Sequence, residues 1–241
     1  FFIVALGVAF YSGIQSSAPD MRATGDAYFD GTNLMDIRVM GTLGLTERDV
    51  EALGQVEGVA SVEPGYTTDV LCGQGELQNV LHVESLLSTM NQLTVTEGSL
   101  PTEPGTCFVD QDYLSKMGYQ VGDPITLTIP DEENSILKTT SYVICGTGSS
   151  SAYLSYNKGS STLGNGEVAG VMYVLPEDFD SEVYTVAYIT VEGASTLTDY
   201  TDEYDSLINA VTARIEEIAD VRCEARYQEV MEEATQKLEE H

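Results

Sequence analysis

Tryptophan is absent from this chain of 241 residues, and lysine and arginine together number only 10 against 39 acidic residues. Nucleic-acid phosphates and anionic lipid headgroups are bound through clustered basic side chains, and a formal net charge of -29 repels both. We therefore predict no nucleic-acid partner. We interpret the acidity as a solvated surface that maintains solubility, with a dedicated acidic binding face as the alternative.

Histidine is also scarce, and this limits the catalytic chemistry available to the chain. A nucleophilic triad needs a base, and only His82 and His241 could supply one. His82 lies in an alternating segment typical of a strand, which favours an exposed or hydrogen-bonded structural histidine. Paired carboxylates for glycoside hydrolysis occur by chance among so many acids, but without tryptophan any sugar-stacking ring must be tyrosine or phenylalanine. We predict no enzyme and no catalytic residues.

The four cysteines lack the spacing of a zinc site. They are Cys72, Cys107, Cys145 and Cys223. An extracytoplasmic location would permit disulfides in three connectivities, whereas a domain of this size is stable without them, so bridges and reduced thiols both stay open. Cys223 is the least suited to pairing because it lies far along the chain, near the C-terminal helix.

Glycine-rich and acidic segments indicate loops and not cofactor sites. Gly146–Gly148 and Gly164–Gly166 lack the strand-to-helix context of a nucleotide loop, so we predict loop tips and no cofactor. Ser149–Leu163 is predicted to be an exposed loop, with a functional loop as the alternative. Three acidic clusters lack the order of a calcium loop and are expected to be solvated, with no metal residues. They are Asp131-Glu132-Glu133, Asp178-Asp180-Glu182 and Asp202-Glu203-Asp205.

The first fourteen residues, Phe1–Ile14, are free of charge and precede an acidic body. A helix of this length covers about 21 Å of the roughly 30 Å hydrocarbon core, so a spanning helix would need residues upstream. We interpret the segment as the end of a transmembrane helix; a buried core helix is the alternative, and a signal peptide fits less well because no basic residue precedes the run. No basic residue follows before Arg22, which predicts an extracytoplasmic body.

The segments that follow predict two similar units near the two ends of the chain. The first helix is expected to continue to Phe29, and a strand (Met35–Met40), a helix capped by Thr46 and a strand (Val59–Tyr66) form a βαβ-like unit. The second unit is predicted as a strand over Val183–Val191, a helix over Tyr200–Ala219 and a short strand over Val221–Tyr227.

The part between the two units is expected to be a β-rich insertion. Its predicted strands are Asn79–Val83, Gln92–Thr96, Thr106–Val109, Pro124–Ile129, Thr140–Cys145 and Val168–Val174. One short helix over Gln111–Met117 ends at Gly118. Residues Gln228–Glu240 are predicted to be helical. His241 is either a native residue or the first residue of a purification tag.

The order of turn signals between Glu97 and Ile129 resembles that of a known family. The signals are Gly98-Ser99-Leu100-Pro101, the Pro104-Gly105 turn, the acidic helix that ends at Gly118, and Val121-Gly122-Asp123. In this order, and at this distance from the first helix, they resemble the extracytoplasmic core domain of FtsX-like and MacB-like ABC-transporter permeases. Ala5–Ala9, Asn33–Val39 and Leu43–Thr46 are also similar to this family.

The resemblance implies an α+β fold with two discontinuous βαβ-like, porter-like halves, a β-rich inserted subdomain and long N- and C-terminal helices. The expected division is residues 1–29 for the end of transmembrane helix 1 and a stalk, 30–69 plus 180–227 for the base, 70–179 for the insertion, and 228–241 for a C-terminal stalk helix that leads to a second transmembrane helix or a coiled coil.

The function implied by the resemblance is transmission of ATP-driven motion across the cell membrane, to export or extract a substrate or to activate an extracellular partner. The implied partners are a cytoplasmic ATPase subunit, a second permease copy or homologue, the membrane, and an extracellular protein, peptide or lipid substrate. Two other functions stay open: a secreted acidic binding module and a cell-wall hydrolase, which would place a perturbed acid or His82 in a cleft.

Overall fold

The computed structural model describes residues 2–73, 78–130 and 135–239. The helices are α1 (Phe2–Gly31), α2 (Glu47–Gly54), α3 (Gln111–Met117) and α4 (Asp202–Glu239). The strands are β1 (Ile37–Leu45), β2 (Val59–Gly65), β3 (Thr67–Cys72), β4 (Asn79–Ser85), β5 (Thr94–Gly98), β6 (Thr106–Asp110), β7 (Pro124–Thr128), β8 (Ser141–Ser149), β9 (Val168–Val174) and β10 (Tyr184–Val191). The predicted α+β class is confirmed.

A three-stranded sheet brings the two ends of the chain together. Its order is β1-β10-β2, and both outer strands run antiparallel to β10, so β1 and β2 are parallel to each other. The predicted strand-helix-strand unit is therefore present, with a strand from the other end inserted into it. Thr46 caps α2 as predicted, because its side chain accepts from Asp49 N while the Asp49 carboxylate accepts from Thr46 N.

The second sheet has the order β5-β8-β6-β9-β4-β3-β7, and β7 also pairs with β8, so six strands close into a ring. Pairing along the ring is mixed: β4 is parallel to β9 and β6 is parallel to β8. Buried apolar side chains fill the interior, including Leu81, Ile144 and Met172. The short helix α3 covers one side through the fully buried Tyr113.

The strand predicted over Val221–Tyr227 is wrong, because these residues continue α4. Alternation of apolar and charged residues suggested a strand, yet Val221 and Tyr227 are exposed. A helical period runs through the same segment, since the buried Val211 and Ile215 are followed on the same face by Arg222. The second predicted unit therefore lacks its final strand and has one helix of 38 residues in its place.

Two further differences lie in the second sheet. Strand β3 was missed because Thr67-Thr68-Asp69 is polar and only one residue, Tyr66, separates it from β2. Gly146 and Gly148 were predicted to be loop tips but lie inside β8, where β5 approaches closely. A Cβ atom on Gly148 would lie 1.9 Å from the carbonyl oxygen of Thr94, so only glycine permits this pairing. The Gly164–Gly166 loop is confirmed.

The acidic clusters differ from one another in the structure. Asp178 is buried and accepts from Gly105 N at 3.0 Å, so it was wrongly predicted to be solvated. Asp202, Glu203 and Asp205 are exposed in the first turn of α4, as expected. The cluster Asp131-Glu132-Glu133 lies outside the described residues.

All four cysteines carry free thiols, which settles the disulfide alternative. Cys145 Sγ donates to the carbonyl oxygen of Cys107, and burial raises the pKa of the Cys107 thiol.

Among the described residues, no helix offers an apolar stretch sufficient to cross a bilayer.

Candidate functional site at the junction of the helices and sheets

The C-terminal part of α1 meets the segment that leads into α4. Asp26 Oδ1 accepts from the backbone N of Asp199 at 2.7 Å. The rings of Phe29 and Tyr200 make an edge-on contact with their centroids 6.3 Å apart. The end of α1 and the start of α4 are therefore held close together, although 170 residues of sequence lie between them, from residue 32 to residue 201.

Asp36, just before β1, ties the same region to the three-stranded sheet. Its Oδ1 accepts from Tyr204 OH of α4 and its Oδ2 from Val191 N of β10, each at 2.7 Å. Its backbone N donates to Ile189 O at 2.9 Å. One carboxylate thus joins the start of α4 to the end of β10.

Asp199 lies among several other carboxylates at this junction. Burial, and then the charges of Asp26, Asp30 and Asp36, raise the pKa of Asp199 from 3.8 to about 6. A raised folded-state pKa means that the stabilisation from Asp199 is present below its unfolded pKa and is lost as the pH rises through about 6. At neutral pH the ionised Asp199 therefore weakens the junction.

Replacing Asp199 with asparagine is expected to raise the free energy of unfolding by about 1 kcal/mol at pH 7.5, after allowance for solvent screening. The gain should shrink towards zero as the pH is lowered to about 3, where the carboxyl group of the native residue is protonated in both the folded and the unfolded state. Urea denaturation of the 241-residue chain at several pH values measures this gain in the free energy of unfolding. The matched control is Asp220→Asn on the exposed face of α4, and an equal gain from the control would contradict the prediction.

Helix α4 is fastened to the three-stranded sheet and α2 by arginines. Arg222 Nε lies 2.7 Å from Asp49 Oδ1, and the Asp49 side chain is only 7% exposed. Burial opposes ionisation of Asp49, but hydrogen bonds from Thr46 and Arg222 and the charge of Arg222 lower its pKa. Arg214 also donates to the carbonyl oxygen of Glu57 at 2.8 Å. By contrast, the pair between Arg48 and Glu229 at 3.3 Å has an arginine that is 76% exposed.

The two sheets meet directly through aromatic and hydroxyl groups. Tyr66, the residue between β2 and β3, stacks on Phe179 with ring centroids 5.0 Å apart and lies 5.3 Å from the ring of Tyr184. Beside it, Thr67 N donates to the hydroxyl oxygen of Thr185 in β10. These contacts leave the chain little freedom where it passes from one sheet to the other.

A buried polar network crosses the same boundary. The Glu84 carboxylate in β4 accepts from Tyr188 OH of β10 at 3.2 Å and from Tyr153 OH at 2.6 Å. His82 Nε2 lies 3.3 Å from Glu84 Oε1, and His82 Nδ1 lies 2.6 Å from Asp69 Oδ1 of β3. The network joins both sheets and the turn that follows β8.

The charges of this network stabilise one another. Burial alone would lower the pKa of His82, but hydrogen bonds to Asp69 and Glu84 and their charges raise it to about 9. Burial would likewise raise the pKa of Glu84, but the hydrogen bond and charge of His82 lower it. His82 is therefore a protonated structural residue between two carboxylates at neutral pH.

Glu63 of β2 makes a second connection between the sheets. Its carboxylate accepts from Ser88 and Thr89 hydroxyl groups at 2.7 Å and from the backbone N of Met90 at 2.9 Å. Burial opposes ionisation, but these hydrogen bonds lower the pKa of Glu63. The segment after β4 is thereby held against the three-stranded sheet.

The sequence pattern indicated a structural role for His82 but did not indicate which residues surround it. The hydrogen-bonded alternative for His82 is confirmed. Glu84 was not singled out, although a carboxylate two residues after a histidine in a strand lies on the same face, and this was the available signal. Tyr188 and Arg222 carry no sequence signal, because their partners lie more than a hundred residues away.

Comparison with known proteins agrees with this architecture. The family model described as MacB-like periplasmic core domain matches residues 1–221, and the chain belongs to this family. The family places the chain as the extracytoplasmic domain of an ABC-transporter permease, a membrane protein that works with an ATPase. The predicted resemblance is confirmed. No curated protein matches the chain.

Solved structures that match this chain include three domains of transporter or permease proteins. The extracellular domain of the ABC-type transporter YknZ from Gram-positive bacteria is 15% identical, with 72% of this chain and 87% of that chain covered and a TM-score of 0.41. The periplasmic region of MacB from Actinobacillus actinomycetemcomitans is 10% identical, with 75% of each chain covered and a TM-score of 0.40. A domain of a permease protein from Porphyromonas gingivalis is 13% identical, with 77% and 74% covered and a TM-score of 0.34.

Proposed function

We propose that this domain transmits ATP-driven motion from transmembrane helices to the outside of the cell, where the motion exports or extracts a substrate or activates an extracellular partner. The observation that carries the proposal is the junction at which α1 meets the segment that leads into α4, through the Asp26–Asp199 hydrogen bond and the Phe29–Tyr200 contact. At about 1.5 Å per residue, helices of 30 and 38 residues are roughly 45 and 57 Å long, so a small tilt displaces their distant ends considerably.

In this proposal the three-stranded sheet and α2 receive the motion of α4 through the buried Asp49–Arg222 pair. The contacts of Tyr66, Glu84 and Glu63 then carry it to the second sheet. Residues 1–29 and 228–241 serve as stalks, 30–69 plus 180–227 as the base and 70–179 as the recognition part. A cytoplasmic ATPase and a second permease copy or homologue complete the assembly.

The proposed domain has no enzymatic activity of its own. Both ring nitrogens of His82, the candidate base, face carboxylates, Asp69 at Nδ1 and Glu84 at Nε2. Among the residues that the structure describes, no three His, Cys, Asp or Glu side chains are grouped so as to hold a metal ion.

Spin labels in the full transporter test the proposal. With Cys223 changed to serine, labels at the exposed Asp20 of α1 and at the exposed Glu103, in the turn before β6, should show a different distance distribution with ATP than without it. Arg222→Met should reduce this change, because it removes the buried attachment of α4, whereas Arg48→Met should not, since its ion pair is exposed. Identical distributions in all nucleotide states would disprove transmission through this domain.

A further inference from the structure

A cavity of about 560 Å³ lies beside the second sheet, far in sequence from the helix junction. It is formed where β4 and β9 begin side by side, at Asn79 and Val168, beneath helix α3. Its outer wall is the segment 156–167, most of which was predicted to be an exposed loop. The volume falls within the range of about 300–1,000 Å³ that is usual for small-molecule sites.

The wall of the cavity is shaped by its own hydrogen bonds. Asn157 Oδ1 accepts from Gly159 N at 2.9 Å, and Asn165 Oδ1 accepts from Glu167 N at 3.2 Å. Ser161 N donates to the carbonyl oxygen of Gly166 at 3.0 Å. A loop with this many internal bonds is largely preformed, which lowers the entropic cost of binding a ligand.

Lys158 fixes this wall to the start of α3. Its side chain is only 7% exposed, and its Nζ donates to the carbonyl oxygen of Tyr153 at 2.8 Å. The same Nζ lies 3.7 Å from Asp110 and 3.5 Å from Asp112. A buried lysine with three oxygen partners holds the loop in one position over the cavity.

The charges that line the cavity cancel, in contrast to the rest of the molecule. Asp112 and Glu167 are balanced by Lys116 and Lys158, whereas acids outnumber bases by 39 to 10 in the whole chain. An uncharged ligand is therefore neither repelled nor outcompeted by counter-ions at this site.

The polar groups and the ring at the rim fit one class of uncharged ligand. The amide oxygens of Asn157 and Asn165 accept from their own loop, which leaves the amide NH₂ groups as donors, and Asp112 and Glu167 offer acceptors. Tyr156 is 88% exposed and presents an aromatic surface. We propose that this cavity binds a neutral oligosaccharide, with its hydroxyl groups on the amides and carboxylates and a sugar ring against Tyr156.

An extended peptide fits the cavity less well. Strand addition needs an open sheet edge, but β4 is paired on both sides, with β3 and β9, and the Tyr113 side chain of α3 packs against Gly170 near the start of β9. The inference goes beyond transmission of motion and does not depend on it, because binding to the isolated chain requires neither membrane nor ATPase.

Titration of the 241-residue chain with two neutral saccharides, N-acetylchitotetraose and maltotetraose, followed by amide chemical shifts and calorimetry, tests the proposal. We expect saturable binding of at least one saccharide, with the shift changes centred on residues 156–167 and α3. Tyr156→Ala should weaken binding roughly tenfold, because the sugar ring loses its contact with the aromatic ring. This loss corresponds to about 1.4 kcal/mol. The exposure of Tyr156 makes misfolding an improbable cause of this loss.

The matched control is Tyr227→Ala, which removes another exposed ring on α4 and should leave saccharide binding unchanged. A second variant, Glu167→Gln, should weaken binding without altering the folded spectrum. Three results would each overturn the proposal: no saturable binding of either saccharide, binding that Tyr156→Ala leaves unchanged, or tighter binding of a neutral tetrapeptide at the same residues. None of these results bears on the ATP-dependent distances of the transporter.

Discussion

Changing Glu84 to glutamine is expected to lower the free energy of unfolding by about 3 kcal/mol at pH 7, because it removes one charge from a buried network and leaves the others in place. Glutamine matches the shape of glutamate, so packing is retained. Its oxygen can still face Tyr153, Tyr188 and His82, because all three contact Glu84 Oε1, but a neutral amide supplies no charge to balance protonated His82. Protonated His82 then keeps Asp69 as its one carboxylate partner among the described residues.

Urea denaturation measures this loss, and an unchanged m-value would show that the unfolded state is unaffected. The same variant should lower the pKa of His82, which proton NMR of the imidazole reports. Glu97→Gln in the exposed strand β5 is the matched control and should change stability by no more than about 0.5 kcal/mol. Equal losses in the two variants, or an unchanged pKa of His82, would refute the role assigned to Glu84.

The second large effect is a loss of stability at alkaline pH that originates at His82. Its folded-state pKa of about 9 exceeds the unfolded value of 6.5, so its contribution is fully present below pH 6.5 and is lost as the pH rises through 9. The difference of roughly 2.5 pKa units corresponds to about 3 kcal/mol between pH 6.5 and pH 10.

Comparison with His82→Gln isolates this effect from the tyrosines, whose raised pKa values add a further loss at higher pH in both proteins. The native chain should be the more stable at pH 6, and the two stability curves should converge between pH 7 and pH 10. Curves that stay parallel over this range would show that His82 is not charged in the folded protein.

The buried charges also explain how a strongly acidic domain can hold two sheets together. Acids at the surface repel one another, but Glu84, Glu63 and Asp49 each meet donors from a different element. The partners of these carboxylates depend on the positions of the side chains in the folded protein, and the overall acidity of the chain does not predict them. The cavity beside Tyr156 is another local exception to the acidity of the chain, because the charges that line it cancel.

Local signals in the sequence were sufficient for most of the elements. Helix α3 ends at Met117 before Gly118, as predicted, because that glycine adopts the left-handed conformation with φ 77°. The β9 bounds were also predicted, since a mostly apolar run with Gly166 before it and Pro176 after it is typical of a buried strand. The strand prediction at Val221–Tyr227 was wrong because it rested on a short local alternation. In the folded protein the helix continues through this segment, and Arg222 on its buried face contacts Asp49.

By itself, the sequence determined the α+β class, the family, the acidic character and the positions of most helices and strands, because these depend on periodicity, turn residues and composition within short segments. Only the tertiary structure decided that β10 lies between β1 and β2, that six strands close into a ring, and that Glu84, His82 and Tyr188 share one buried network. Such pairings join residues far apart in the chain, and their free energy comes from the burial and charge that exist only after the segments meet.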